Sequence, residues 1–237
     1  MPIHGLLRIV AVGASALILS GAAFCKTSVS PCAASAQNIP QRSAHAKGAA
    51  EFIDTVGAMS ERERDQAIRT ELMAGNMPGF LRRAKPVSLD THLANGEAIH
   101  LTLCVMADYL SVGTDDDFLL VPMELGSALT VADRFGFTLP TRRMVDLIYR
   151  QSTMHMTPQP LPAGNQMRST AYYERHNALV MRQRAAAGAT SNLLITGDKK
   201  DLVLSPRLWS QPGRVAIYGW QRANGAPIQP LSTVHGE

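Results

Sequence analysis

Three polar constellations in the sequence hold residue types that could do chemistry. Arg175-His176-Asn177 falls in a run with helical spacing. A histidine among apolar neighbours there is either a hydrogen-bonded core residue or a general base, since imidazole titrates near neutral pH and can exchange protons with a substrate. Thr196-Gly197-Asp198-Lys199-Lys200-Asp201 lies between two strand-like runs. It reads as a hairpin turn with alternating charges, or as a site where a lysine and an aspartate at strand ends polarise a carbonyl or bind an anionic group. Asp108-Tyr109-Leu110-Ser111-Val112-Gly113-Thr114-Asp115-Asp116-Asp117 is rich in carboxylates around a glycine. It is a solvated acidic turn or a hard-cation site with Asp115 and Asp117 as oxygen ligands, although its spacing is not that of an EF-hand loop. Should the constellations converge, His176 is the general base, Lys199 the electrostatic stabiliser, and Asp201 or Asp108 the orienting carboxylate.

Motifs that would name a reaction are missing. The sequence has no glycine-rich phosphate loop, no Cys-x-x-Cys, no His-Glu-x-x-His and no Gly-x-Ser-x-Gly. The cofactor is therefore left unknown. The formal charge of +4 does not point to nucleic acid. Two of the basic residues, Arg8 and Lys26, precede residue 37 and no acidic one does, so the remainder is close to balanced. Its charges are interleaved, as in Glu61-Arg62-Glu63-Arg64-Asp65, and no basic stripe with aromatics is present.

The elements that must position these residues alternate irregularly along the chain. Phe52, Ile53, Val56 and Met59 share one helical face. Ser60 and Glu63 form a capping-box pattern for a helix that ends at Gly75. Asn95-Gly96 predicts a hairpin between 86–92 and 98–106. Phe118–Val121 reads as a strand, and 127–135 as a helix with Leu129, Ala132 and Phe135 inward, closed by Gly136. Thr141 caps a helix through Tyr149, and 172–187 is a helix with Tyr173, His176, Val180 and Met181 on one side. Arg214–Trp220 is apolar on both faces, which predicts a central strand, and Asn224-Gly225 predicts a hairpin into an edge strand around Ile228. Clusters of strands and helices favour α+β over a doubly wound sheet.

The N-terminus has the form of an export signal. Ile9 to Phe24 runs without a charge after Arg8, short for a membrane span, and small residues follow at Gly21-Ala22-Ala23 and Ala34-Ser35-Ala36. Cleavage after Ala36 leaves Cys104 as a lone thiol; cleavage after Ala23 leaves all three cysteines, with Cys25 able to pair with Cys32. Cys104 sits in the alternating run Ile99–Val105, which predicts a buried, unreactive thiol on a half-buried strand.

At these same residues the chain resembles an uncharacterised family of exported bacterial proteins. The likeness lies in Asp108-Tyr109-Leu110, Asp117-Phe118, Leu139-Pro140-Thr141-Arg142-Arg143-Met144-Val145-Asp146, Arg175-His176-Asn177, Lys199-Lys200-Asp201 and Val215-Ala216-Ile217-Tyr218-Gly219-Trp220. It covers most of the chain from Gly75 onward and implies export and a single domain, but no reaction. Family members carry a histidine near Gly197 or Asp198 and continue into a segment with Ser-His-Gly, which implies a C-terminal truncation here.

The expectation is a signal peptide and leader at 1–36, a flexible linker at 37–48, and a single α+β domain at 49–237 with a mixed or antiparallel sheet and several packed helices. The protein is expected to be secreted or periplasmic, in contact with the membrane only through its signal. Its expected role is a hydrolase acting on a cell-envelope or extracellular substrate; the alternative is a non-catalytic binding or structural module of the envelope.

Overall fold

The computed structural model describes residues 30–235. The export signal read at Ile9–Phe24 and the cleavage site at Ala23 lie outside the described residues. Within them the chain is an α+β domain with five helices.

Its larger core is built by the first helices. Helix α1 spans Ala49–Val56 and buries Phe52 and Val56. Helix α2 spans Glu61–Met73 and opens with the expected capping box, the Ser60 N–H donating to the Glu63 carboxylate at 2.9 Å. Ile68 and Leu72 face inward from it. These residues pack with Leu81, Val112, Leu119, Val131, Phe135 and Val180. Helix α3 spans Leu125–Phe135 and buries Ala128, Val131 and Phe135, whereas Leu129, expected inward, is 41% exposed. The hundred-degree step puts Val131 and Phe135 on one side, and Leu129 lies off that stripe.

The strands form four small sheets. Strands β1 (Lys85–His92) and β2 (Ala98–Val105) make the predicted hairpin. Strands β3 (Ser111–Gly113) and β4 (Phe118–Leu120) form a short antiparallel pair. Helix α4 (Arg142–Gln151) starts at Thr141, whose hydroxyl accepts from the Met144 N–H at 3.4 Å. Strand β5 (Met154–His155) runs parallel to β6 (Ile195–Thr196), and the chain between them contains helix α5 (Thr170–Ala186). Strands β7 (Lys200–Leu202), β8 (Arg214–Gln221) and β9 (Pro227–His235) form the last sheet, with β8 in the middle as its two apolar faces predicted. Strand β9 takes the edge, which tolerates its prolines.

Three expectations are corrected. Gly197–Lys200 is not a hairpin turn, because β6 pairs with β5 and β7 with β8. It is a crossover through the interior, and Asp198 on it is 1% exposed. Cys104 is not a lone thiol; it forms a disulfide with Cys32. Residues 37–48 do not hang free as a linker. Ile39 is buried, the Arg82 guanidinium donates to the Ile39 and Pro40 carbonyls, and Arg42 donates to Asn76 Oδ1 at 2.9 Å. Gly75 is at φ +79°, and a Cβ there would stand 2.1 Å from the Pro40 carbonyl oxygen, so the helix stop also makes room for this segment.

Candidate functional site

Helix α5 turns His176, Asn177, Val180 and Arg184 to its buried side, at the spacing that keeps residues on one face. Asn177 secures the helix to β4, accepting from the Leu120 N–H at 3.1 Å and donating to the Phe118 carbonyl at 3.1 Å. The crossover from β6 to β7 runs past that face with Asp198, Lys199 and Asp201. Asp108 reaches it from the other side, where the Ile195 N–H donates to the Ala107 carbonyl at 2.9 Å. Three segments thus bring their polar residues into one cluster, in which Asp108, His176, Arg184 and Asp198 are buried and Lys199 and Asp201 half-buried.

The contacts in it are specific. Lys199 Nζ lies 2.7 Å from His176 Nδ1. The Asp108 carboxylate accepts from the Tyr109 N–H at 2.8 Å and forms an ion pair with Arg184, which is itself 9% exposed and lies over the Phe118 ring. Asp198 is buried with neither carboxyl oxygen hydrogen-bonded. Its backbone carbonyl accepts from Trp220 Nε1 at 2.7 Å, and the Lys199 carbonyl accepts from the Trp220 N–H and the Tyr109 hydroxyl. Trp220 is held at φ +60°, an unfavourable conformation for a bulky residue that the surrounding contacts impose. Lys200 points away, its ammonium 4.7 Å from the centre of the Trp220 ring.

Burial sets the electrostatics. It pushes the Asp201 carboxyl up to about 7, with the neighbouring Asp198 adding to the effect. Asp108 is also raised, again by burial first, with Arg184 pulling against it. Asp198 is raised by burial, opposed by Lys199 and Arg184. Burial lowers Lys199 to about 8 despite the aspartates near it. His176 is lowered to about 4, by burial and then by the charge of Lys199, with the Gln159 backbone acting the other way. Near neutral pH the imidazole is therefore uncharged, and two carboxyls, Asp201 and Asp108, both raised to about 7, are poised to gain or lose a proton, Asp108 from within its ion pair with Arg184.

The cluster adjoins a cavity of about 710 Å³. Asp108, Tyr109, Asp201 and Gln221 line one part of it; Leu110, Val131, Phe135, Leu139 and Ile148 are among the apolar side chains that line the rest. Gln221 is 2% exposed and its Nε2 has no hydrogen-bond partner.

Of the residues singled out in the sequence, the structure brings His176, Lys199, Asp108 and Asp201 together. Asp115 and Asp117 lie elsewhere. The Asp115 carboxylate accepts from the Phe80 N–H at 3.1 Å, and Asp117 accepts at the start of α1 from the Ala49 N–H with its carbonyl and the Ala50 N–H with its carboxylate. Among the described residues no three His, Cys, Asp or Glu side chains gather as a metal site. Sequence reasoning gave no site role to Asp198, Arg184, Trp220 or Gln221. Arg184 had a signal, since it stands eight residues after His176 on the same helical face.

Comparison with known proteins names no relative. No family model, no curated protein and no solved structure matches the chain.

Proposed function

We propose that this chain is an exported hydrolase, acting on a cell-envelope or extracellular substrate, with its acid–base centre at Asp201. The observation that carries this reading is a half-buried carboxyl facing a cavity with its pKa raised to about 7. A group half ionised near neutral pH can take a proton from an attacking water and return it to the leaving group. In that step the water oxygen bonds to the electrophilic carbon, the bond to the leaving group breaks, and Asp201 ends as it began.

The roles of the neighbours follow from their contacts. Burial first, and then Asp198, itself buried and without a hydrogen-bond partner on its carboxyl, keep Asp201 from ionising at the usual carboxylate pH. His176, read in sequence as the general base, is a weak one here because Lys199 occupies Nδ1 and its pKa is low. It serves to hold Lys199. Asp108, raised to about 7 like Asp201, is tied up by Arg184 and the Tyr109 N–H and takes the orienting role.

Export is supported by the uncharged run after Arg8 and by the Cys32–Cys104 bond, which suits an oxidising compartment. Cleavage after Ala36 would discard Cys32, so the bond favours Ala23 of the two sites. Among the described residues no helix is long and apolar enough to cross a membrane. Of the motifs that carry the resemblance to an exported family, Asp108-Tyr109, His176 and Lys199-Lys200-Asp201 fall at the cluster, while Asp117-Phe118 does not.

The apolar cavity walls favour one other reading, a binding module without turnover. A screen on ester, peptidoglycan and glycoside substrates tests both. Turnover that Asp201→Asn reduces by at least about a hundredfold is expected of a general acid–base. Turnover untouched by that change, or binding with no turnover of any substrate, would sink the hydrolase.

A further inference from the structure

We infer that the cavity holds the acyl chain of an uncharged amphiphile, a fatty-acyl ester or amide, whose carbonyl is bound by Gln221. The inference rests on the hydrolase reading only where it calls this compound a substrate; as a binding claim it stands on the cavity itself.

A volume of about 710 Å³ is within the range of small-molecule sites. Walls such as Leu110, Val131, Phe135, Leu139 and Ile148 offer nothing to a sugar or a peptide and are matched by a hydrocarbon chain. The polar groups lie beside Gly219. A Cβ built on that glycine would stand 3.1 Å from Asp201 Oδ2 and 3.6 Å from Gln221 Oε1, so the absence of a side chain leaves both groups open to one small head group.

The chemistry of the head follows from what remains unpaired. Gln221 is buried with a free Nε2 donor, an arrangement that is unfavourable unless an acceptor arrives. A carbonyl oxygen is such an acceptor. Of the charged groups lining the cavity, Asp108 is neutralised by Arg184 and the Lys200 ammonium rests on Trp220, leaving the Asp201 carboxyl to face the atom beside the carbonyl. An amide N–H or ester oxygen meets that carboxyl in one or other protonation state. A fatty acid would set a carboxylate against it, and like charges there are disfavoured.

The test is calorimetric titration of the full chain with dodecanamide, alongside dodecanoate and acetamide. Dodecanamide is expected to bind at one site, acetamide not to bind, and dodecanoate to bind at least about tenfold more weakly at mildly alkaline pH. Gln221→Leu keeps the side-chain bulk and is expected to weaken dodecanamide about tenfold while leaving diphenylhexatriene, a hydrocarbon probe, unchanged. Ile148→Trp, which narrows the cavity from a half-buried wall position, is expected to weaken both, with circular dichroism checking the fold. Failure of dodecanamide to bind, or binding indifferent to both substitutions, overturns the inference. The esterase assay with p-nitrophenyl dodecanoate separates the two readings. Binding of dodecanamide without ester turnover removes the hydrolase and leaves the ligand class; turnover of glycosides or peptidoglycan without acyl binding does the reverse.

Discussion

Lys199 Nζ and His176 Nδ1 meet at 2.7 Å although they stand 23 positions apart, and the lysine's charge adds to burial in holding the imidazole neutral. The charged amine donates and the neutral imidazole accepts. Neither residue is free to act without disturbing its partner.

Removing the amine should therefore be visible on the ring. Lys199→Met is expected to raise the His176 pKa from about 4, because the positive charge beside it is gone. The value should still stay below the ordinary 6.5, since burial is the larger cause. Proton NMR titration of the imidazole reads this directly; an unchanged value would show that the two side chains do not meet in solution.

Asp201 makes a prediction about stability and pH. Its folded pKa is raised from 3.8 to about 7, so between those values the folded chain holds a proton that the unfolded chain has lost. The contribution is fully present below about 4 and is lost as pH rises towards 7. His176, lowered to about 4, contributes with the opposite slope over much of the same window and masks the effect in the parent protein. Asp201→Asn unmasks it: the variant's melting temperature relative to the parent should climb across that window and level off above it. Parallel melting curves at every pH would refute the shift.

The Arg184–Asp108 pair is buried, and breaking it from one side strands a charge. Arg184→Met is expected to cost about 3–5 kcal/mol in urea unfolding. Adding Asp108→Leu should recover a good part of that loss, because the stranded carboxylate is removed as well. Additive losses would mean that the two residues do not interact.

The disulfide closes a loop with a sequence separation of 72. Reduction, or Cys104→Ser, is expected to destabilise the chain by about 4 kcal/mol through the entropy returned to the unfolded state. The native protein should show no thiol at Cys32 or Cys104 to a labelling reagent, and labelling without denaturant would contradict the bond.

Local structure was legible where one short-range signal decided it. Ser60 with Glu63, Asn95-Gly96, Gly136 and Asn224-Gly225 each lie at a boundary that backbone chemistry dictates within a few residues. The doubly apolar run of β8 likewise announced a central strand. What the sequence hid was pairing at a distance. Nothing near Ile195 says that it pairs with Met154 rather than Leu202, so the Asp198 crossover looked like a hairpin turn. The cysteines gave three candidates and no register, and the true partner lay in a segment that read as disposable leader. His176, Lys199, Asp108 and Asp201 were identifiable by residue type, but their roles depend on burial and on Arg184 and Asp198, which only the fold brings among them.

The disulfide also divides the chain in the order in which it would emerge from an export channel. Everything inside the Cys32–Cys104 loop, α1 and α2 included, precedes the residues of the site, since Asp108, His176, Asp198, Lys199, Asp201 and Gln221 all follow Cys104. In a chain exported as proposed, the bond can close while those residues are still on the near side of the membrane. The loop would then be covalently closed before Val112, Leu119, Val131, Phe135 and Val180 arrive to complete the core around α1 and α2, and delayed oxidation should slow assembly of the core and the site together.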